Sequence, residues 1–317
     1  MKPSIGTKHS LASEFKDAFK DKRVLVTGAR GFIGKHVVTS LLELGASVQA
    51  SSRDWAGTSK DDHNLHLLEC DLSNFQSTKE LVAQSRADII LHLAATVTAQ
   101  ERIELVIPTL NNIVVATVNL LMSATESDCQ QFVAVATPEE PSNDLSPASP
   151  YAAAKQCASI YFKLFQERYG LPITVVKPFM TFGPGQESSK LIPHIILSLM
   201  RKVPPRLSDG SRQCDFVYVQ DVVRGILKAA LIQSTNTEPI DLGTGRLTSL
   251  ENLASQISKL THTHVEAQFG VADVRQSREP VVADIAATKK LIDWEPHWRL
   301  EEALEETIRT YRETISV

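Results

Sequence analysis

The sequence predicts an α/β protein in which a doubly wound parallel sheet is followed by a smaller lobe. Short β-branched runs alternate with longer helical segments from Arg23 onward, which is the rhythm of a parallel sheet. A glycine-rich turn follows the first of these runs directly. Beyond Phe179, turn-forming segments separate shorter elements. With 317 residues the chain is long enough for both parts, which we assign to a leader (1–22), a sheet domain (23–178) and a lobe (179–317).

The elements follow from their hydrophobic patterns. Strands are predicted at VLVTG, SVQAS, LHLLE, DIILHLAA, QFVAVAT and PITVVKP, with helices near 31–44, 76–86, 101–125 and 149–169. Segment 101–125 is apolar nearly all round, so we expect a helix buried against the sheet, with a second subunit as an additional candidate partner. In the lobe we predict short strands around 216–219 and 239–242, and helices near 188–201, 220–232, 249–261, 285–292 and 299–315.

The leader contains Leu11, Phe15 and Phe19 at a spacing of four residues. This spacing is typical of one amphipathic helix docked on the body of the protein. A frayed segment accounts for the same residues equally well. The sequence leaves these two interpretations open.

Composition narrows the class of protein. The net charge of -4, with 43% hydrophobic and 22% charged residues, offers no basic surface for nucleic acid. The four cysteines lie far apart without a C-x-x-C pair, so we expect reduced thiols and no metal site. No signal peptide and no run of about 18 apolar residues is found, which favours a cytoplasmic protein without a membrane anchor.

The segment Thr27–Gly34 places glycines at positions one, four and seven of G-x-x-G-x-x-G between the first strand and the first helix. Gly28 permits a tight turn, Gly31 lets the backbone approach a pyrophosphate, and Gly34 lets the helix pack closely on the sheet. A plain strand-to-helix turn is the alternative. Together with the elements that follow, the spacing favours a dinucleotide site.

The end of the second strand bears on the choice of cofactor. About 20 residues past such a loop, NAD-binding domains usually carry an acidic residue for the ribose, but Ser52 stands here. Arg53 beside it and Arg30 in the glycine loop would attract the 2′-phosphate of NADP. The alternative is that Arg53 is solvated next to Asp54. We therefore expect NADP, with NAD as a second option, and Asp71 and Leu72 near the adenine.

Tyr151 and Lys155 lie four residues apart on a predicted helix and therefore on one face. A phenol has an unperturbed pKa near 10, and a neighbouring ammonium lowers such a pKa by favouring the phenolate. Thr137, at the end of a strand, offers a hydroxyl for a substrate oxygen. A surface tyrosine beside a solvated lysine is the alternative. In this order after a glycine loop, the pair predicts proton transfer accompanying hydride transfer.

These motifs together resemble the extended short-chain dehydrogenase/reductase family, which includes nucleotide-sugar epimerases, dehydratases and reductases. The resemblance runs from about Arg23 to Arg312. Its motifs are TGARGFIG, DL at 71–72, HLAA at 92–95, SPYAAAK at 149–155, KPF at 177–179, FGPG at 182–185, DFVYVQDVVRG at 215–225 and DIAATKKLIDWEP at 284–296. It implies a Rossmann-type sheet and a smaller C-terminal substrate-binding lobe.

The resemblance also implies roles for individual residues. Thr137, Tyr151 and Lys155 would be catalytic, and Lys155 would also hold the nicotinamide ribose. The implied cofactor contacts are Gly28, Arg30, Gly31, Phe32, Ile33, Gly34, Ser52, Arg53, Asp71, Leu72, Leu93, Ala94, Ala95, Tyr151, Lys155 and Pro178. The substrate contacts we expect are Thr96, Glu139, Met180, Arg212, Cys214 and Arg275.

Several positions depart from the family pattern. The segment between Thr137 and Tyr151 is short, and Pro138-Glu139 replaces an Asp-Glu pair used for eliminating water, so Glu139 is either a base or a solvated loop residue. Met180 and Cys214 replace an asparagine and an arginine that serve the nucleotide diphosphate. Arg212, Arg275 and Arg278 would relocate that charge; otherwise the substrate is not a sugar nucleotide.

The helical asparagine of the family's proton relay is also out of register. Counting back from Asn119 puts Ile113 at its position, with Asn112 adjacent. A one-residue adjustment near Pro108 would restore the register, because proline distorts a helix.

The leading hypothesis is an NADP(H)-dependent reductase of a carbonyl group, with a 4-keto-deoxy sugar nucleotide as favoured substrate. The alternatives are a nucleotide-sugar epimerase that retains its NAD(P), a reductase of a non-sugar ketone, and a non-catalytic NADP-binding protein. The resemblance further implies a homodimer that pairs helices 101–125 and 149–169.

Overall fold

A seven-stranded parallel sheet organises the part of the chain that the computed structural model describes, residues 11–56, 62–98, 100–141, 145–232, 238–271 and 279–315. Flanking helices pack on it. The elements in chain order are α1 (Leu11–Phe15), β1 (Arg23–Thr27), α2 (Phe32–Glu43), β2 (Ser47–Ser52), β3 (Leu65–Glu69), α3 (Phe75–Ser85), β4 (Ile89–His92), α4 (Val106–Thr109), α5 (Ala116–Thr125), β5 (Gln131–Val135), α6 (Pro150–Tyr169), β6 (Ile173–Pro178), β7 (Met180–Phe182), α7 (Leu191–Met200), β8 (Gln213–Cys214), β9 (Phe216–Tyr218), α8 (Val219–Ala229), β10 (Ile240–Leu242), β11 (Thr248–Ser249), α9 (Leu250–Thr261), α10 (Ile285–Ile292) and α11 (Leu300–Ile315).

The sheet has the order β10-β6-β5-β4-β1-β2-β3, so the predicted Rossmann-type α/β fold is confirmed. From β1 the chain moves outward to β2 and β3, and then returns to β4 on the other side of β1. This reversal creates a crevice at the carboxyl ends of β1 and β4, where such folds bind their ligands. The seventh strand, β10, had been assigned to the lobe; it instead pairs with β6 in parallel.

The predicted single helix 101–125 is wrong in detail. A 3₁₀ turn (Ile103–Leu105) and α4 lead into a π-helix (Leu110–Val115), which is followed by α5. Burial is also partial, because Ile103 and Ile107 are 81% and 62% exposed whereas Ile113 is 1% exposed. Ile103–Thr125, with a mean hydropathy of 1.7, is long and apolar enough to cross a membrane. Its second half packs against α3 and α6, as a core helix of a globular protein does.

The chain divides into two compact units that interleave in sequence. Unit 1 comprises Met1–Val135, Ser149–Val175 and Ile226–Glu238, and unit 2 comprises Ala136–Ala148, Val176–Gly225 and Pro239–Val317. Between Val175 and Val176 the division cuts through β6. The glycine loop and α6 therefore belong to unit 1, whereas Thr137 and the residues from Val176 to Gly225 belong to unit 2.

The residues before β1 pack within unit 1. Helix α1 is only five residues long, and Phe19 lies beyond its end. Phe15 and Phe19 are nevertheless 5% and 0% exposed, and their rings meet edge to face at 5.7 Å. Glu14 forms an ion pair with Lys228 at 3.0 Å. The docked interpretation of residues 11–22 therefore holds, although the helix is shorter than the spacing suggested.

Unit 2 contains two small strand pairs, and of their four strands the sequence predicted only β9. β7 pairs with β9 in parallel, and β8 pairs with β11 in antiparallel fashion. Strands of two or three residues are too short to show an alternating pattern. The β7–β9 pair fixes the segment around Met180.

Candidate active site

The glycine loop forms a close turn between β1 and α2. Gly28 has φ of +69°, and a Cβ added there would lie 2.7 Å from the backbone of Ala94. A Cβ on Gly34 would lie 2.2 Å from the carbonyl oxygen of Gly28. Gly31 precedes the first residue of α2 and leaves the first N–H groups of that helix uncovered by a side-chain cap. Only glycine fits at 28 and 34, and the helix begins where an anion would be received.

The segment after β4 lies against this loop. The N–H of Leu93 donates to the carbonyl oxygen of Thr27 at 3.2 Å, and the N–H of Ala94 donates to Thr27 Oγ1 at 3.4 Å. Leu93, Ala94 and Ala95 are half-buried, and Thr96 is exposed. Two stretches that the sequence nominated separately are thus brought together at the crevice. Within the loop itself, Phe32 and Ile33 are half-buried.

Arg53 follows the last residue of β2, and Arg30 of the glycine loop contacts the same segment. Arg30 forms an ion pair with Asp54 and donates to the carbonyl oxygens of Asp54 at 3.0 Å and Ala56 at 3.4 Å. Arg53 is exposed, and its Nη1 donates to Asn112 Oδ1 at 3.3 Å. Ser52 is half-buried at the last position of the strand. The binding of a 2′-phosphate by Arg30 and Arg53 stays a prediction.

Asp71 and Leu72 follow β3 in a turn. The Asp71 carboxylate accepts hydrogen bonds from the N–H of Ser73 at 3.0 Å and from its hydroxyl at 2.8 Å. These bonds, led by the one from the N–H, lower the pKa of Asp71 below its ordinary value. Leu72 is buried, and its carbonyl oxygen accepts from Asn119 Nδ2 at 2.9 Å. The adenine contact expected of this pair stays a prediction.

Tyr151 and Lys155 lie in the first turns of α6. The hydroxyl of Ser149 caps the helix by accepting from the N–H of Ala152 at 3.1 Å, and Pro150 occupies the first position. Tyr151 and Lys155 are 6% and 7% exposed. Lys155 Nζ donates to the carbonyl oxygen of Val135 at the end of β5, at 2.7 Å. A buried ammonium held in this way is not a solvated surface lysine, which removes that alternative.

The sequence motifs did not reveal a buried network at the end of β4. His92 Nδ1 shares a hydrogen bond with Thr27 Oγ1 at 2.8 Å, and its Nε2 shares one with Thr117 Oγ1 at 3.0 Å. Burial, reinforced by the positive charge of Lys155, lowers the pKa of His92 to about 3. The imidazole is therefore neutral at pH 7. The only signal in the sequence was the histidine of HLAA.

In unit 2, Thr137 is held by its own loop. Its N–H donates to Glu140 Oε1 at 3.0 Å, and its Oγ1 accepts from the N–H of Glu139 at 3.3 Å. Thr137 is 7% exposed, and both glutamates are half-buried. Glu140, which the sequence did not single out, thus holds the backbone of Thr137. Glu139 contributes its backbone to this turn.

Met180 and Cys214 lie on either side of a buried aspartate of unit 2. The N–H of Met180 donates to the carbonyl oxygen of Asp215 at 3.0 Å. The Asp215 carboxylate accepts from the N–H groups of Thr244 at 2.7 Å, Gly245 at 2.9 Å and Ala283 at 3.2 Å. Asp215 therefore holds two loops beside Met180 and Cys214, whose contacts with a substrate stay a prediction.

The remaining expected contacts of unit 2 are more scattered. Pro178 is buried at the end of β6, Cys214 is 8% exposed in β8, and Arg212 is half-buried just before that strand. Arg275 and Arg278 lie outside the described residues. The proposed relocation of positive charge to these arginines stays a prediction.

Comparison with known proteins identifies the family. The profile of the NAD dependent epimerase/dehydratase family matches residues 24–243. This chain belongs to that family. The match spans the glycine loop, the Tyr151–Lys155 pair and the segment through β10. Members of this family are NAD(P)-dependent enzymes of the extended short-chain dehydrogenase/reductase type, and this protein is one of them.

Relatives within the family cover nearly the whole chain. UDP-glucuronate 4-epimerase of Thermodesulfobacterium geofontis is 28% identical, over 92% of this chain and 97% of its own length. Low-salt glycan biosynthesis protein Agl12 of Haloferax volcanii is 29% identical, over 91% and 98%. UDP-glucose 4-epimerase of Thermotoga maritima, solved with UDP-glucose, has a TM-score of 0.82 and 25% identity, over 92% and 99%. The protein is a nucleotide-sugar epimerase/dehydratase-like enzyme.

The residues present fit the family's dinucleotide. Protein backbone leaves no room for a side chain at Gly28 and Gly34, which fixes the turn, and the uncapped start of α2 after Gly31 is where a pyrophosphate would bind. The half-buried end of β2 would receive the adenosine ribose, and Lys155 would hold the second ribose. When bound, the nicotinamide ring supplies or accepts a hydride.

Proposed function

We propose that this protein is an NADP(H)-dependent reductase of a carbonyl group on a nucleotide sugar, with a 4-keto-deoxy sugar nucleotide as its favoured substrate. The observation that carries the cofactor assignment is the end of β2. Ser52 stands where an acid would repel a 2′-phosphate, and Arg53 and Arg30 supply cations beside it. NADPH is the usual reductant of a net reduction, which links this cofactor preference to the direction of reaction.

Three side chains of this protein would handle the proton. Tyr151 Oη protonates the substrate oxygen as the carbonyl is reduced. The Lys155 ammonium, fixed by the carbonyl oxygen of Val135 at 2.7 Å, favours the phenolate that results. Thr137, whose backbone N–H is held by Glu140, would bind the substrate oxygen with its hydroxyl. Burial of Tyr151 and Lys155 excludes water from this exchange and strengthens their interaction.

Epimerisation at a sugar carbon is the second candidate. Two of the relatives described above are 4-epimerases by name. An epimerase oxidises and then reduces the same carbon, so it uses the same tyrosine and lysine but consumes no cofactor. Met180 and Cys214 stand where the resemblance expects groups that serve the nucleotide diphosphate, which weighs equally on both nucleotide-sugar functions. A small ketone and a purely NADP-binding role are further alternatives.

One assay separates these functions. The purified protein is incubated with NADPH and a 4-keto-6-deoxy sugar nucleotide, and cofactor oxidation is followed by absorbance. A reductase oxidises one NADPH per product, whereas an epimerase converts UDP-glucose without net oxidation. Absence of both reactions, with NADPH still bound, would favour the binding protein.

Tyr151→Phe tests the role of the phenol. We expect the turnover number to fall by a factor of roughly 100 to 10,000 while NADPH binding is retained, because only the proton donor is removed. Tyr161→Phe in the same helix is the matched control and should leave turnover unchanged. Full activity of Tyr151→Phe would contradict the mechanism.

We also propose a cytoplasmic homodimer. Large apolar side chains of unit 1 are exposed along the two helical segments that the sequence nominated, among them Ile103, Ile107, Leu110 and Ile160 at 81%, 62%, 42% and 65%. α4 and the π-helix pack against α6, and the 3₁₀ turn packs against α4, so these side chains belong to a connected set of elements. An exposed apolar surface of this kind is typical of an interface, and a second copy offers a matching apolar surface.

A further inference from the structure

Arg30, one of the two proposed 2′-phosphate ligands, is already bound by the segment that follows β2. Its guanidinium pairs with the Asp54 carboxylate and donates to two carbonyl oxygens of the same segment. Trp55 anchors this segment, because its Nε1 donates to the carbonyl oxygen of Leu68 in β3 at 3.0 Å. Asp54 is therefore held beside Arg30 by more than the ion pair itself.

We infer that Asp54 determines how strongly the protein prefers NADP over NAD, by competing with the 2′-phosphate for Arg30. This inference rests on the proposed role of Arg30 in cofactor binding. A 2′-phosphate would have to displace the carboxylate from the guanidinium or share it. NAD lacks that phosphate and leaves the ion pair intact.

The charges at the end of β2 also indicate that Asp54 weakens NADP binding. Arg30 and Arg53 bring two positive charges to the end of β2, and Asp54 offsets one of them. The side chains of Arg30 and Asp54 are 37% and 64% exposed, so solvent screens their attraction and the pair opens readily. A phosphate dianion is a stronger partner for a guanidinium than one carboxylate is. The pair thus weakens NADP binding without preventing it.

Asp54 has a second conceivable role as the acid that binds the ribose hydroxyls. The residue that usually does so closes the second strand, and Ser52 occupies that position here. Asp54 lies two residues further on, and its carboxylate is engaged with Arg30 and the N–H of Ala56. The contacts therefore favour competition for Arg30 over ribose binding.

The test is the binding of NADP⁺ and NAD⁺ to Asp54→Asn, measured by titration calorimetry. We expect the Kd for NADP⁺ to fall about fivefold and the Kd for NAD⁺ to change less than twofold, because an exposed ion pair is worth a factor of this size. The gain should shrink at high salt, which screens the charges. Asp128→Asn is the matched control: Asp128 is exposed, and its charge acts on Arg23 at the opposite end of β1.

A double variant shows whether the effect passes through Arg30. In an Arg30→Ala background, Asp54→Asn should no longer tighten NADP⁺ binding. An unchanged Kd for NADP⁺ in Asp54→Asn, or an equal gain with Asp128→Asn or in the Arg30→Ala background, would overturn the inference. A loss of NAD⁺ affinity alone would show that Asp54 binds the ribose.

The experiment on Asp54 and the proposed NADP preference can fail independently of each other. If the unaltered protein binds NAD⁺ more tightly, the proposed NADP preference fails. The shift produced by Asp54→Asn is still expected in that case, because it compares two variants and not the two cofactors.

Discussion

His92 is an ionisable residue whose state is set by its surroundings. It lies between the hydroxyls of Thr27 and Thr117, fully enclosed, and near the positive charge of Lys155. A second positive charge there would be costly, because the ring is buried and lies near the ammonium of Lys155. The neutral imidazole instead links β1, β4 and α5 through hydrogen bonds.

Acid should therefore destabilise the fold through His92. Its pKa is about 3 in the folded protein and about 6.5 in the unfolded chain, so below pH 6.5 the unfolded chain binds the extra proton. The contribution of the neutral His92 to the free energy of unfolding is fully present above pH 6.5 and is lost as pH falls toward 3. Two pH units below 6.5, the loss amounts to about 3 kcal/mol. Urea unfolding between pH 7 and 4.5 measures it.

The effect of His92 is isolated by comparing how steeply the unfolding free energy depends on pH in different variants. His92→Gln should flatten the dependence of unfolding free energy on pH, whatever it does to stability at pH 7. His63→Gln is the control, because the side chain of His63 is 91% exposed. An unchanged slope in His92→Gln would show that other groups govern acid sensitivity.

Among the elements, the helix after β4 departs most from its sequence pattern. Pro108 in α4 lacks an N–H and cannot complete a regular helical ladder. The π-helix that follows has a wider turn than an α-helix and so changes the register of the residues after Pro108. It leaves Ile113 buried and Asn112 half-buried beside Arg53. A relay role for Asn112 stays a prediction.

The segment before β1 should contribute measurably to stability. Phe19 is fully buried within unit 1, so Phe19→Ala leaves a cavity and should lower the free energy of unfolding by about 3 to 5 kcal/mol. Phe75→Ala, at a 38% exposed position, should cost much less. Urea unfolding at pH 7 compares the two. A loss below about 1 kcal/mol for Phe19→Ala would show that the segment docks only loosely.

At the scale of the whole molecule, the proposed dimer makes a simple prediction. Light scattering at micromolar concentration should give a mass twice that of the 34.9 kDa chain. Ile160→Lys should reduce it to the mass of one chain, because a charge placed in an apolar interface cannot be paired there. Val203→Lys, at a 54% exposed position of unit 2, should leave the dimer intact. A single-chain mass for the unaltered protein would refute the proposal.

Local patterns were enough to predict much of this protein. The glycine spacing, the Tyr151–Lys155 spacing and the alternation of strands and helices each lie within a short stretch of chain. The positive φ of Gly28, the steric exclusion at Gly34 and the helical face shared by Tyr151 and Lys155 are properties of those stretches. The family and its class of cofactor could therefore be inferred from the sequence by itself.

Tertiary structure decided what depends on residues far apart in the chain. The pairing of β10 with β6, the ion pair between Arg30 and Asp54, and the neutral state of His92 all require partners that the fold brings together. Hydrophobic periodicity specifies which face of an element is buried, but not which distant element covers it. Protonation and ion pairing follow from that covering, because both depend on how much water and charge the neighbouring elements leave near a group.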